Sequence, residues 1–427
     1  MNKVLSASIL AAMSFSSIAN AKTTINFWTW APTESTINAV IDEFEKQNPN
    51  IEVNLTLLES TAYQDRLPLA LASGDSIDVA AIQTSTMVNV VKDFLEPLSP
   101  LYNKYSTSSI DSQLNGIALS QAKSLADNGV LYLAPMGFLG SVVAFYNKTL
   151  LDELGLSVPQ NREELAKFVK TIESKRPDLL PISLTGVNWF LDEITNTITE
   201  QFKPGFYNSV RYNEGGQWQS ADYAKSFDAI VSLYKEGIFS KDTLDIDYAR
   251  AAELFQTQKS VMFLQGSWES GLLSAPFRES NGIKLNNVTA SGLPVLVEGG
   301  NKSIRSFIEI GLSVPLNSEK KEEAIKFIEF LTSGDGVDVW SKNLILVPSK
   351  IGYELKDGIF STDAARKGYE EVSALLAKPG SDRNNVSDFS VKVGDTIISS
   401  ILDEKDTNEQ VKLLQSEWES GRYSNDF

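Results

Sequence analysis

The chain has 427 residues with no cysteine and no histidine, which excludes thiolate nucleophiles, Ser-His-Asp triads, imidazole acid-base chemistry and zinc centres of the usual kind. Its 55 acidic residues against 38 basic ones give a net charge of −17, a balance that argues against nucleic acid or an anionic membrane surface as partner. Single hydrophobic cores stop growing near about 250–300 residues, so this length points to two domains or one large two-lobed unit.

Residues 1–21 read as a secretory signal. Lys3 is the positive end, Val4 to Ile18 is mostly apolar, and Ala19-Asn20-Ala21 is an A-x-A cleavage site. The mature chain is expected to start at Lys22, to carry no lipid anchor because no cysteine stands at the cleavage point, and to work in a periplasm. No later run is long and apolar enough to span a bilayer, so no membrane insertion is expected.

Thr23 to Trp30 predicts a strand, and Ile37, Val40, Ile41 and Phe44 then mark one face of a helix that Asn48-Pro49-Asn50 ends. Ile51, Val53, Leu55 and Leu57 alternate with polar residues as a half-buried strand does. A second helix on Tyr63, Leu67, Ala70 and Leu71 leads to the short apolar run Asp78 to Ile82, a buried strand. This βαβαβ order implies an α/β fold with mainly parallel sheets flanked by helices. Leu131 to Pro159 holds a Gly- and Pro-rich crossing, a strand at Val142–Tyr146 and a short helix ending at Gly155. One set of strands and helices precedes this stretch and another follows, so the chain is expected to pass here from one lobe to the other.

Beyond it, Asn161 and Glu164 predict a capping box ahead of Leu165, Phe168, Val169 and Ile172. Ser260 to Leu264 reads as a strand leading into Gln265-Gly266-Ser267-Trp268-Glu269. Strand-like pieces at Val288–Leu293 and Phe307–Val314 flank the Gly299-Gly300 turn. Ser318 is expected to cap the next helix, and Thr407 with Gln410 to open the last.

INFWTW, FEKQNPNIEV, LALASGDSIDV, YNKTLLDELGLSVP, SVMFLQGSW and the helix SEKKEEAIKFIEFL, in this order, resemble the segments of the carbohydrate-binding extracellular solute-binding proteins of ABC importers, the family that includes maltose-binding protein. The chain departs from the family pattern at VPQNREEL, RSFIEIG and Gln258. The resemblance implies a two-lobed clamp joined by hinge segments, with residues 22–136 and 287–335 in the first lobe and 137–286 and 336–427 in the second. Crossings are then expected near Gly137 to Val143, Asn286 and Gly336. Tyr146-Asn147-Lys148 becomes scaffold of the second lobe, and the two glycines at the first crossing suit a hinge. The implied function is capture of a di- or oligosaccharide in the cleft by a monomer and delivery to permease subunits, without enzymatic turnover or a cofactor.

A sugar presents apolar C–H faces and a rim of hydroxyls, so its receptor needs aromatic faces and planar polar groups. Trp268 matches the family's sugar-stacking Trp; the alternative is packing between lobes. Trp30 and Glu34 follow the first strand at its carboxyl end, where open α/β sheets place ligands; a core Trp and a helix first-turn acid are the alternatives. Gln83 and Thr84 follow the third strand as ligand contacts or as turn caps. Asn188 and Trp189 stand at the entrance of a second-lobe helix, Phe307 and Glu309 in RSFIEIG, and Phe138 at the first crossing. Arg383 and Phe389 align with a late loop and helix start that close over ligand in the family. Two other readings fit the residues: a secreted carbohydrate-active enzyme with a carboxylate pair, and the same clamp binding a polyamine. A ferric site of this shape would favour adjacent tyrosines, and no Tyr-Tyr pair occurs.

Overall fold

Alternation at Ile51 and Val53 against Glu52 and Asn54 gives a strand, Ile51–Leu57 (β2), that lies parallel to Thr23–Thr29 (β1) from the pair Thr23↔Ile51 to Thr29↔Leu57. The structure is a computed structural model describing residues 22–84, 87–356, 358–360, 362–378 and 387–423; residues 1–21, read as a signal, and Arg383 lie outside them. The helix Glu34–Gln47 joins β1 to β2 and buries Ile37, Val40, Ile41 and Phe44, the face its spacing predicts. The all-apolar Val79–Ile82 stretch belongs to Val79–Gln83 (β3), parallel to β1.

Chain order then brings Ala134–Pro135 (β4), Gly137–Ser141 (β5), Val143–Asn147 (β6), Leu180–Ser183 (β7), Ser260–Gln265 (β8), Val288–Gly292 (β9), Arg305–Ile308 (β10), Ile310–Ser313 (β11) and Val347–Pro348 (β12). They form three sheets, ordered β2-β1-β3-β11-β4, β7-β8-β6-β9 and β10-β5-β12. The first two are the lobes of an α/β clamp, each with its own buried core. Both are mixed, where parallel strands were expected to dominate. β11 runs antiparallel to β3 and β4, and β6 antiparallel to β8 and β9, because these strands enter from the other lobe.

The third sheet is where the lobes join. β5 pairs antiparallel with β10 on one edge and β12 on the other, so three passages of the chain meet in one small ladder. This moves two of the expected crossings. β9 hydrogen-bonds to β6 of the second lobe, so the chain returns only after Gly292 instead of near Asn286. The helix Gly336–Trp340 stays with the first lobe: Val337 and Trp340 belong to its core, and the Trp340 indole donates to the Leu331 carbonyl at 2.9 Å. The last crossing therefore falls at β12.

The glycines of the first crossing serve close approach more than freedom of φ. A Cβ on Gly137 would lie 2.5 Å from the Val347 carbonyl oxygen, and one on Gly140 2.3 Å from Ile304. The left-handed residue is Val142, buried between β5 and β6 with φ of 66°; a β-branched side chain is strained there.

Capping follows the sequence at Asn161. The Asn161 side chain accepts from the Glu164 amide at 3.0 Å, while Glu164 accepts from the Gln160 amide at 2.8 Å. Two other caps shift. Ser318 is engaged with Asp78 at 2.7 Å, so its helix begins at Lys321; the last helix is capped by Asp406, which accepts from the Glu409 amide at 3.0 Å.

The helix Asn188–Glu200 is buried from Phe190 to its end and carries Asp192, Glu193, Asn196 and Glu200 into the interior. Buried charges persist only when paired or hydrogen-bonded. Arg305, from β10, meets Glu193 at 3.1 Å and lies 4.4 Å from the Tyr207 ring centroid. Asp192 accepts from Ser390 at 2.6 Å and Asn196 at 2.8 Å. Burial, reinforced by the charge of Glu193, pushes the Asp192 carboxyl up to about 7. Because its folded value lies above the unfolded value of about 3.9, its contribution to stability is fully present below about pH 4 and is lost as pH rises through about 7. Asp192→Asn should therefore gain stability relative to the parent between pH 5 and pH 8. Scanning calorimetry at both values checks this, and a melting-temperature difference independent of pH would refute it.

Candidate functional site

The candidate residues stand at strand ends and helix starts. In the second lobe, β8 ends at Gln265 and Gly266 turns the chain into a 3₁₀ segment, Ser267–Leu273. The Trp268 ring folds back over Gly266, where a Cβ would stand 2.1 Å from it, so only glycine leaves room. Ser267 accepts from the Gly140 amide at 2.9 Å, fixing this segment to the crossing strand. Trp268 is half-buried and packs against the first-lobe core, although a second-lobe strand carries it.

Trp189 lies 6.2 Å from Trp268, with ring planes 49° apart, and is braced edge-on by Phe190 at 5.4 Å. It sits in the first turn of the Asn188–Glu200 helix, against which Ser387–Leu402 packs so closely that a Cβ on Gly394 would lie 2.3 Å from the Asn188 Cα. This contact lets the Asn188 amide donate to Asp395 at 2.7 Å.

In the first lobe, Trp30 follows the carboxyl end of β1 and leans on Tyr63 at 5.2 Å. The buried Tyr63 hydroxyl is within hydrogen-bond distance of the Trp28 and Ala81 carbonyls, at 3.1 and 2.7 Å. It thus ties the ends of β1 and β3 and sets where Trp30 leaves the sheet; its burial raises the phenol well above its ordinary value. Gln83, at the end of β3, donates to Glu309 at 2.8 Å, leaving a half-buried amide–carboxylate pair beside β11.

The predicted residues therefore divide. Trp268, Trp189 and Asn188 cluster on the second lobe, and Trp30, Gln83 and Glu309 stand on the first. Thr84 is buried and uses its hydroxyl on the Ile308 carbonyl and its amide on the Glu309 carbonyl at 3.1 Å, the capping reading. Glu34 is exposed in the first turn of its helix, where a carboxylate suits the macrodipole. Phe138 and Phe307 are corrected to core residues: 3% and 5% exposed, they lie on the paired hinge strands β5 and β10 and pack into the first-lobe core. Phe389 is also core, 2% exposed between Trp218 at 5.1 Å and Trp418 at 4.8 Å. Tyr63 and Asp395, which brace Trp30 and Asn188, escaped the sequence reading.

The sequence model for bacterial extracellular solute-binding proteins matches residues 29–337. The multiple sugar-binding protein of Streptococcus mutans is 24% identical over 306 residues, 70% of this chain and 68% of that one. The melibiose/raffinose/stachyose-binding protein of Bacillus subtilis is 20% identical over 419 residues, 93% of this chain and 90% of its own. Among solved structures, an ABC substrate-binding protein of Listeria monocytogenes in complex with cycloalternan superposes with a TM-score of 0.72 at 17% identity, covering 93% of this chain and 98% of that one.

Proposed function

The chain belongs to the bacterial extracellular solute-binding proteins, and from that premise we propose that it captures a di- or oligosaccharide between its lobes and delivers it to the permease of an ABC importer. The observation that carries this reading is the Trp189–Trp268 pair, two half-buried indoles in ring contact, one packed on the second-lobe core and the other on the first-lobe core. Two rings about 6 Å apart and tilted offer faces to successive sugar units. The Gln83–Glu309 and Asn188–Asp395 pairs supply planar donors and acceptors of the kind hydroxyl rims need. Relatives named for sugars, one with melibiose, raffinose and stachyose, support the same class.

The work is binding, with no bond made or broken. Ligand touches both lobes only when they are closed, so it favours the closed state by its differential affinity, and a few kcal/mol suffice to change the dominant population. The closed monomer then docks on the permease outside the membrane. Among the described residues no helix is long and apolar enough to cross one.

Ligand at about 100 times its Kd stabilises a folded protein by about 2.7 kcal/mol. A thermal-shift series with maltose, raffinose, stachyose and their monosaccharides should therefore raise Tm by several degrees for at least one oligosaccharide, recovered chemically unchanged. A shift with spermidine alone would replace the sugar reading by the polyamine one, and cleavage of the bound sugar would make the protein an enzyme.

A further inference from the structure

Beside β12 the chain leaves a cavity of about 440 Å³, within the range of about 300–1,000 Å³ that small organic ligands occupy. Its walls come from different parts of the clamp. Val347 and Pro348 of β12 form one side, and β12 pairs with β5 in the hinge ladder. Tyr353, a second wall, packs against the first-lobe core, and its hydroxyl is hydrogen-bonded to that of Ser341 at 2.6 Å. The third wall is the helix Asp363–Leu376, which lies so close to the second-lobe sheet that a Cβ on Gly368 would stand 2.4 Å from the Ala290 amide nitrogen of β9. Among the described residues that line the cavity is none of those placed in the sugar site above.

The lining joins aromatic rings to both signs of charge. Phe360 and Tyr369 stand 5.6 Å apart with planes tilted by 46°, and the Arg366 guanidinium lies 5.5 Å from the Phe360 ring centroid. Glu354 and Glu370, both exposed, add two carboxylates. Ser373 also lines the cavity, and its hydroxyl is shut off from solvent with no partner in hydrogen-bond geometry. A buried polar group is costly to leave unpaired, and native proteins seldom do so without a reason. Two carboxylates disfavour an anionic ligand, and the guanidinium disfavours a cationic one. A neutral ring meets every group present, with an apolar face for the aromatic side chains and hydroxyls for the carboxylates, the guanidinium and Ser373.

We propose that the cavity beside β12 is a second binding site, separate from the Trp189–Trp268 pair, for a single neutral sugar ring of hexose size. It does not rest on the oligosaccharide reading above, since no residue is shared.

Equilibrium dialysis with radiolabelled glucose tests it, in a Trp268→Ala background that weakens the other site. Trp268→Ala should still bind glucose, at up to one equivalent. Adding Glu370→Trp, which sets a bulky indole at an exposed position of the cavity lining, should weaken that binding at least tenfold. Adding Ser373→Ala should weaken it about fivefold, the loss of one hydrogen bond, without lowering the ligand-free melting temperature, because alanine removes an orphaned hydroxyl. Glucosamine and glucuronate, similar in size and opposite in charge, should each bind several-fold more weakly than glucose. No glucose binding by Trp268→Ala, or binding that Glu370→Trp and Ser373→Ala both leave unchanged, overturns the site. Tighter binding of either charged sugar overturns the neutral ligand. A protein that binds no oligosaccharide, yet takes up glucose that Glu370→Trp abolishes, refutes the oligosaccharide reading and supports the second site.

Discussion

Arg305→Met should lower the stability of the folded chain by about 3–5 kcal/mol, the usual cost of removing one partner of a buried ion pair. Arg305 and Glu193 both have fully buried side chains, 3.1 Å apart. The guanidinium also feels Asp192 and Glu200, and its face covers the Tyr207 ring. Methionine fills much of the volume and returns none of the charge, so Glu193 is left in a low-dielectric interior without its guanidinium. The attraction in the pair is partly offset by the desolvation of both ions, and the large loss reflects the stranded carboxylate more than a strong bond. Adding Glu193→Gln to Arg305→Met should therefore recover part of the loss, as a double-mutant cycle can show. Urea unfolding at neutral pH with an unchanged m-value is the measurement. A single variant within about 0.5 kcal/mol of the parent, the range of ordinary surface substitutions, would refute the account. Because Arg305 lies on hinge strand β10 and Glu193 on a second-lobe helix, the same pair fixes that strand to the second lobe.

Trp268→Ala should weaken sugar binding at least tenfold, a loss of about 1.4 kcal/mol or more. The ring is half-buried, rests on Gly266 and stands 6.2 Å from Trp189, so truncation removes a stacking face. The ligand-free melting temperature should barely move, since the ring lies at the edge of the first-lobe core instead of inside it. Titration calorimetry decides: equal affinity in parent and variant would remove Trp268 from the site.

Local chemistry was legible where one element sufficed. The spacing of Ile37, Val40, Ile41 and Phe44, the alternation after Ile51 and the Asn161–Glu164 capping box each appear in the structure as read. The motif order carried the two-lobed architecture. Resolution was lost where the same pattern serves two ends. Phe389 begins a helix near a loop that closes over ligand in the family, yet an apolar residue at a helix start reads alike whether it meets sugar or, as here, Trp218 and Trp418. In RSFIE, Phe307 and Glu309 drew the functional reading, while Arg305 makes the buried ion pair that ties β10 to the second lobe.

By itself the sequence determined the class of fold, the absence of His and Cys chemistry, and the faces that strands and helices bury. These depend on composition and on periods of two and 3.6 residues, which are local. Only the tertiary structure decided that β9 stays with the second lobe, that three strands make one hinge ladder, and that Val142 takes the left-handed turn. Each depends on contacts between distant segments, and hydrophobic periodicity records that a side chain is buried without recording what it is buried against.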